Sequence, residues 1–274
     1  MYLLKAFLSI VLAICIVGIA SLLGYRAYRA NEQEKINESE YIPVGEKATE
    51  EDMQEIEEEN LTELQKELKD TTVEKEIFEK LMYEVKKNPD TVAWLNIPDT
   101  NINNSVLQYH NNEYYQRRDE RKKNNVYGCY YADYECSLST EENLKKNTII
   151  YGHSDLKDNP DGKRFSELFK FLDNDFAEKH KEIYLHTINE SFTFEIFSVF
   201  YTDIDFDYIR VFMDDKEFQE LIDKALSLSI RDYGIKPSAK TDKILTLSTC
   251  SVKYHNDGTG RFVVMGRLVT NDEL

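Results

Sequence analysis

The octapeptide Thr246-Leu247-Ser248-Thr249-Cys250-Ser251-Val252-Lys253 decides how this chain is read. It continues an apolar run that begins at Ile244, and such a run suits a buried strand. A lone cysteine stands at the end of that strand. Eleven residues later, Arg261 opens a second run, Phe262-Val263-Val264-Met265-Gly266. Far upstream, Thr148-Ile149-Ile150-Tyr151-Gly152 forms a third run and leads into His153. A thiol, an imidazole and a guanidinium just outside three strands can supply a nucleophile, a proton carrier and an oxyanion stabiliser.

The neighbouring pattern extends the β reading. Short strands are expected at 92–97, 104–108, 126–134, 148–151, 183–185, 191–200, 243–247 and 261–270. Helical spacing of Val73, Ile77, Leu81 and Val85 predicts an amphipathic helix stopped at Asn88-Pro89. A short helix is expected around Phe165, Leu168, Phe169 and Leu172. A longer one is expected over 214–228, with Phe218, Leu221, Ile222 and Ala225 on one face. The whole reads as mainly β, a barrel with helical insertions. The 18 Tyr and 14 Phe suit such a core.

A formal net charge of −17 over 274 residues argues against nucleic acid as a partner, because phosphates repel it. The four cysteines form no disulfide framework, although the spacing of Cys129 and Cys136 would permit a bridge. Residues 1–5 read as a short tail. Residues 6–25 are apolar and uncharged, long enough to cross a bilayer as a helix, and are read as an uncleaved anchor. Residues 26–71 read as an acid-rich, solvated linker, and 72–274 as the globular domain. Charges on the two sides of the apolar run leave its orientation open.

Taken singly, the three chemical residues have plainer readings. A cysteine at a strand end is often a small buried hydrophobe. His255 lies five residues from Cys250 and rivals His153 as base; Arg267 rivals Arg261. His110, His180 and His186 read as surface or linker residues. No residue spacing suggests a metal site.

Together, Thr246-Leu247-Ser248-Thr249-Cys250, the following Arg261-Phe262-Val263-Val264 and the upstream Tyr151-Gly152-His153 resemble the sortases. These are membrane-anchored cysteine transpeptidases of Gram-positive bacteria. The resemblance covers roughly residues 73–269. The helix before the barrel, the helix at 214–228, and Asn103 to Gln108 with Asn112 to Tyr115 resemble class B. It implies a closed barrel of about eight strands. It also implies Cys250 as nucleophile, His153 as general acid/base and Arg261 as stabiliser, with Ser248, Thr249, Leu107 and Ser105 contacting substrate. The implied reaction cleaves a C-terminal sorting motif after Thr on a secreted protein, then joins the Thr carbonyl to a cell-wall peptide amine. It needs no cofactor or metal. The implied location is the cell membrane, with the catalytic domain outside. Another cysteine peptidase, a peptidoglycan transpeptidase or a non-catalytic surface protein are the alternatives.

Overall fold

The computed structural model describes residues 73–155, 157–253 and 258–270. Eight strands close into one barrel: β1 (Thr91–Asn96), β2 (Asn103–Leu107), β3 (Tyr130–Ala132), β4 (Asn147–Tyr151), β5 (Glu182–His186), β6 (Ser191–Thr202), β7 (Ile244–Cys250) and β8 (Arg261–Leu268). Their order around the barrel is β1-β2-β3-β4-β7-β8-β6-β5. Most neighbours are antiparallel, but β2–β3 and β4–β7 are parallel. Parallel partners need long crossovers, and 92 residues separate the end of β4 from the start of β7. That crossover carries β5, β6 and two of the helices.

The barrel interior is filled by Leu95, Val106, Ile150, Leu185, Leu247, Phe262 and Val264, among others. A segment of 3-10 helix, Arg164–Leu172, drives Phe165, Leu168, Phe169 and Phe171 into this core. Its amphipathic spacing promised a short helix; the tighter winding is what the structure adds. A second apolar layer lies outside β6, β7 and β8, under the helix α3 (Asp215–Leu228). Strands covered on both faces need continuous apolar runs, which explains the sequence of β7 and β8. In α3, Phe218, Leu221, Ile222 and Ala225 are buried, each large side chain contributing about 1.5–3 kcal/mol. Asp214 starts the helix with a reciprocal capping box: its carboxylate accepts from the Glu217 amide, while the Glu217 carboxylate accepts from the Asp214 amide.

The first helix, α1 (Lys75–Lys87), buries Phe78 and Leu81 but also Glu84. A bidentate pair with Arg121 satisfies that carboxylate, at 2.6 and 3.0 Å. Asn88, extended before Pro89, ends the helix and donates to the Tyr115 hydroxyl and the Glu120 carbonyl. The second helix, α2 (Asn174–Lys179), is short and is capped by Asp173.

The expected strand over 126–134 shrinks to three residues. Gly128 takes φ +54° with its Cα pressed on backbone, where a Cβ would meet the Tyr115 carbonyl at 2.6 Å. The chain therefore turns there instead of running straight. Cys129, Cys136 and Cys250 are all free thiols, so no bridge joins the first two. The expected anchor and linker lie outside the described residues. Among the described residues, no helix is long and apolar enough to cross a membrane.

Candidate active site

Strand register brings the three chemical residues into one row. In the antiparallel β7–β8 pair, Cys250 stands directly opposite Arg261. In the parallel β4–β7 pair, Tyr151 stands beside Ser248, and the Gly152 amide still donates to the Ser248 carbonyl at 3.2 Å. His153 and Cys250 each follow two residues after that last pair, at the same end of the two strands, and both line one cleft. Neighbouring strands lie about 4.8 Å apart and in-register side chains share a face. Cys250 and Arg261 are thus the last and first residues of their strands, and His153 alone lies beyond its strand.

The residue before His153 has to be glycine. A Cβ on Gly152 would come within 2.7 Å of the Phe165 ring and 2.9 Å of the Tyr130 ring. Those two rings stack 4.6 Å apart and neither has exposed surface, so they cannot give way. The Phe165 amide then donates to the His153 carbonyl at 2.8 Å, fixing the backbone on the other side.

His153, Cys250 and Arg261 line one cleft of about 440 Å³, with Gln116, Tyr208, Ser248 and Thr249. Cys250 is exposed. The His153 Nε2 lies 2.6 Å from the Gln116 carbonyl, which can only accept, so Nε2 carries a hydrogen and Nδ1 keeps the lone pair. Burial lowers the pKa of this imidazole. The Gln116 hydrogen bond opposes the shift, while the charges of Arg117 and Arg164 reinforce it. The ring is therefore neutral at pH 7. The Arg261 guanidinium is oriented by its own loop, with Nη1 donating to the Gly258 and Gly260 carbonyls at 2.8 Å each.

Two neighbours of this row were not foreseen. The Tyr208 hydroxyl lies 2.7 Å from the Ser248 Oγ, and burial pushes its phenol up to about 12. Asn147, at the start of β4, holds that loop: its amide donates to the Tyr208 and Arg210 carbonyls, and its oxygen accepts from Thr246. The apolar residues Ile204, Phe206 and Ile209 in an otherwise acidic loop were the available signal, since all three line the cleft. On the opposite side, the Asp133 carboxylate accepts from Tyr151 and Asn112, both at 2.7 Å.

Ser248 and Thr249 line the cleft; Leu107 and Ser105 do not. Those two have no exposed surface: Leu107 packs with Tyr115, Cys129 and Tyr131, and the Ser105 hydroxyl turns to the Asn104 side chain. The expectation that they touch substrate is corrected, because both are enclosed. Arg267 lies six residues along β8, roughly 20 Å from Arg261, and pairs with Glu195 at 2.9 Å. His180 is engaged by Asp99 and His186 by Ser191. His255 lies outside the described residues. Among the described residues, no group of three or more metal-binding side chains converges.

The model of the sortase domain matches residues 95–269, nearly the whole barrel. The chain belongs to the sortase family. The Sortase B of Listeria monocytogenes is 37% identical over 201 residues, covering 73% of this chain and 78% of the relative. That of Staphylococcus aureus is 32% identical over 185 residues, covering 67% and 72%. A solved Staphylococcus aureus sortase B–substrate complex superposes with a TM-score of 0.62 at 30% identity, covering 70% of this chain and 85% of that one. This sortase is accordingly a class B-type cysteine transpeptidase with the closed eight-stranded barrel expected from its sequence.

Proposed function

We propose that Cys250 is the nucleophile, His153 the general acid/base and Arg261 the oxyanion stabiliser of this transpeptidase. The observation that carries this reading is their meeting in one cleft at the ends of three adjacent strands. The His153 Nδ1 takes the thiol proton, and the Cys250 sulfur attacks the Thr carbonyl of a sorting motif. Charge builds on the carbonyl oxygen, where a guanidinium stabilises it most. His153 then hands its proton to the departing amine, leaving a thioacyl-enzyme. An amine of a cell-wall peptide or peptidoglycan precursor attacks the thioester, His153 takes its proton, and a new amide releases the thiol.

Ser248 and Thr249 shape the substrate groove. The Thr249 hydroxyl is buried and has no hydrogen-bond partner among the described residues. We further propose that residues 6–25 anchor the protein once through the cell membrane after a five-residue tail. Residues 26–71 then hold the domain 72–274 off the outer surface.

The test is a panel of Asn-Pro-x-Thr and Pro-x-Thr-Gly peptides, incubated with the enzyme and a peptide amine and resolved by mass spectrometry. Cleavage after Thr with an amide product is expected, and Cys250→Ala should abolish it while leaving the fold intact. Hydrolysis alone would favour a cysteine peptidase; turnover by Cys250→Ala would remove the nucleophile assignment. Protease accessibility of the domain in intact cells checks the topology.

A further inference from the structure

Past the ends of β4 and β7 the ladder stops, and something else has to hold the nucleophile's segment against that of the histidine. Two residues of the loop after His153 reach across. The Ser154 hydroxyl donates to the Cys250 carbonyl at 2.6 Å. Asp158 uses both carboxylate oxygens on the two residues that follow the nucleophile. Oδ2 accepts from the Ser251 hydroxyl at 2.6 Å, and Oδ1 from the Val252 amide at 3.0 Å. From the other side, the Ser251 amide is held by the Gly260 carbonyl at 3.0 Å.

The loop is itself braced for this. The Asp155 amide donates to the Ser166 hydroxyl, which is fully buried, and the Asp155 carboxylate accepts from the Lys157 and Asn159 amides. Asp158 takes φ +51°, a left-handed conformation that glycine adopts more readily. A non-glycine residue kept in that conformation points to a use for its side chain. We propose that Asp158 is a positioning residue for the sortase reaction, clamping the segment 251–252 to the His153 loop and thereby fixing the separation of thiol and imidazole. The proposal rests on the assignment of Cys250 and His153 above.

The experiment uses full-length enzyme in detergent and the best peptide of the panel. Asp158→Gly keeps the backbone conformation and removes the carboxylate. Asp158→Asn keeps an acceptor for the Val252 amide and offers Ser251 a donor. With misplacement of this kind costing one to two decades, kcat for Asp158→Gly should fall about tenfold, with KM within about twofold. Asp158→Asn should retain activity within about threefold, as a rescued hydrogen-bond pattern predicts. The second readout needs no substrate: alkylation of Cys250 by iodoacetamide against pH, followed on the peptide that contains it. The Asp158→Gly profile should move to that of His153→Ala, because thiol and imidazole no longer act together. A plain turn residue would leave Asp158→Gly as active as the parent or more so, and that result overturns the proposal. A fall in kcat with an unmoved alkylation profile overturns it equally. Turnover by Cys250→Ala would instead undo the underlying assignment, so the two failures are distinct.

Discussion

The two walls of the cleft are built in different ways. The wall that carries His153 is backed by buried charge and hydrogen bonding. Arg164 and Glu120 pair at 2.5 Å with only 3% of either side chain exposed, and Arg164 also donates to the Gly128 carbonyl. Glu84 and Arg121 tie α1 to the same segment, 115–121, whose Gln116 carbonyl holds the imidazole. The facing wall, formed by Ile204 to Ile209, has few such ties. Tyr208 and the carbonyls held by Asn147 anchor it, while Ile204 is 59% and Ile209 42% exposed. The difference is one of rigidity: a braced wall carries His153, and the other presents exposed apolar side chains with room to move.

This contrast can be broken by mutation. The largest expected effect is His153→Ala, which should lower kcat/KM by about 10²–10⁴-fold without unfolding the protein, read by steady-state peptide cleavage. Comparable loss from an apolar substitution on the facing wall would erase the distinction. Next, Glu120→Ala strands the Arg164 charge in the interior and should cost about 3–5 kcal/mol of stability in denaturant unfolding. Smaller still, Ile204→Ser should change stability by less than about 0.5 kcal/mol yet raise KM several-fold, since an exposed side chain matters only once substrate arrives.

The smallest effect concerns pH. Burial leaves the folded His153 harder to protonate than the unfolded chain. Its contribution to stability is therefore whole above the unfolded value of about 6.5 and is lost as pH falls below it. Replacing Arg117 by Gln removes one of the charges that oppose protonation, so the His153 titration followed by NMR should move upward.

Much of this was legible in the chain. Apolar runs located the strands because β7 and β8 are covered on both faces, and Asp214 with Glu217 marked the start of α3 by local chemistry alone. Cys250, His153 and Arg261 drew notice as candidates by standing at strand ends, and the structure brings them into one cleft. What escaped was whatever depends on partners distant in sequence. The parallel pairing of β4 with β7 leaves no mark in either strand. Leu107 and Ser105 were implied as substrate contacts by the family resemblance, yet strand and core placement turned both inward. Tyr208 escaped because Asn147, some sixty residues upstream, is what seats its loop.

The β4–β7 ladder has a consequence for when the enzyme becomes active. Ile150 lies beside Leu247, 97 positions later in the chain. Contacts of such long range close slowly, and a chain is made from its N-terminus onward. The row of His153, Cys250 and Arg261 is therefore assembled only after the chain has been made as far as β8. A nascent sortase that has not yet reached β8 therefore cannot present the three side chains in one cleft.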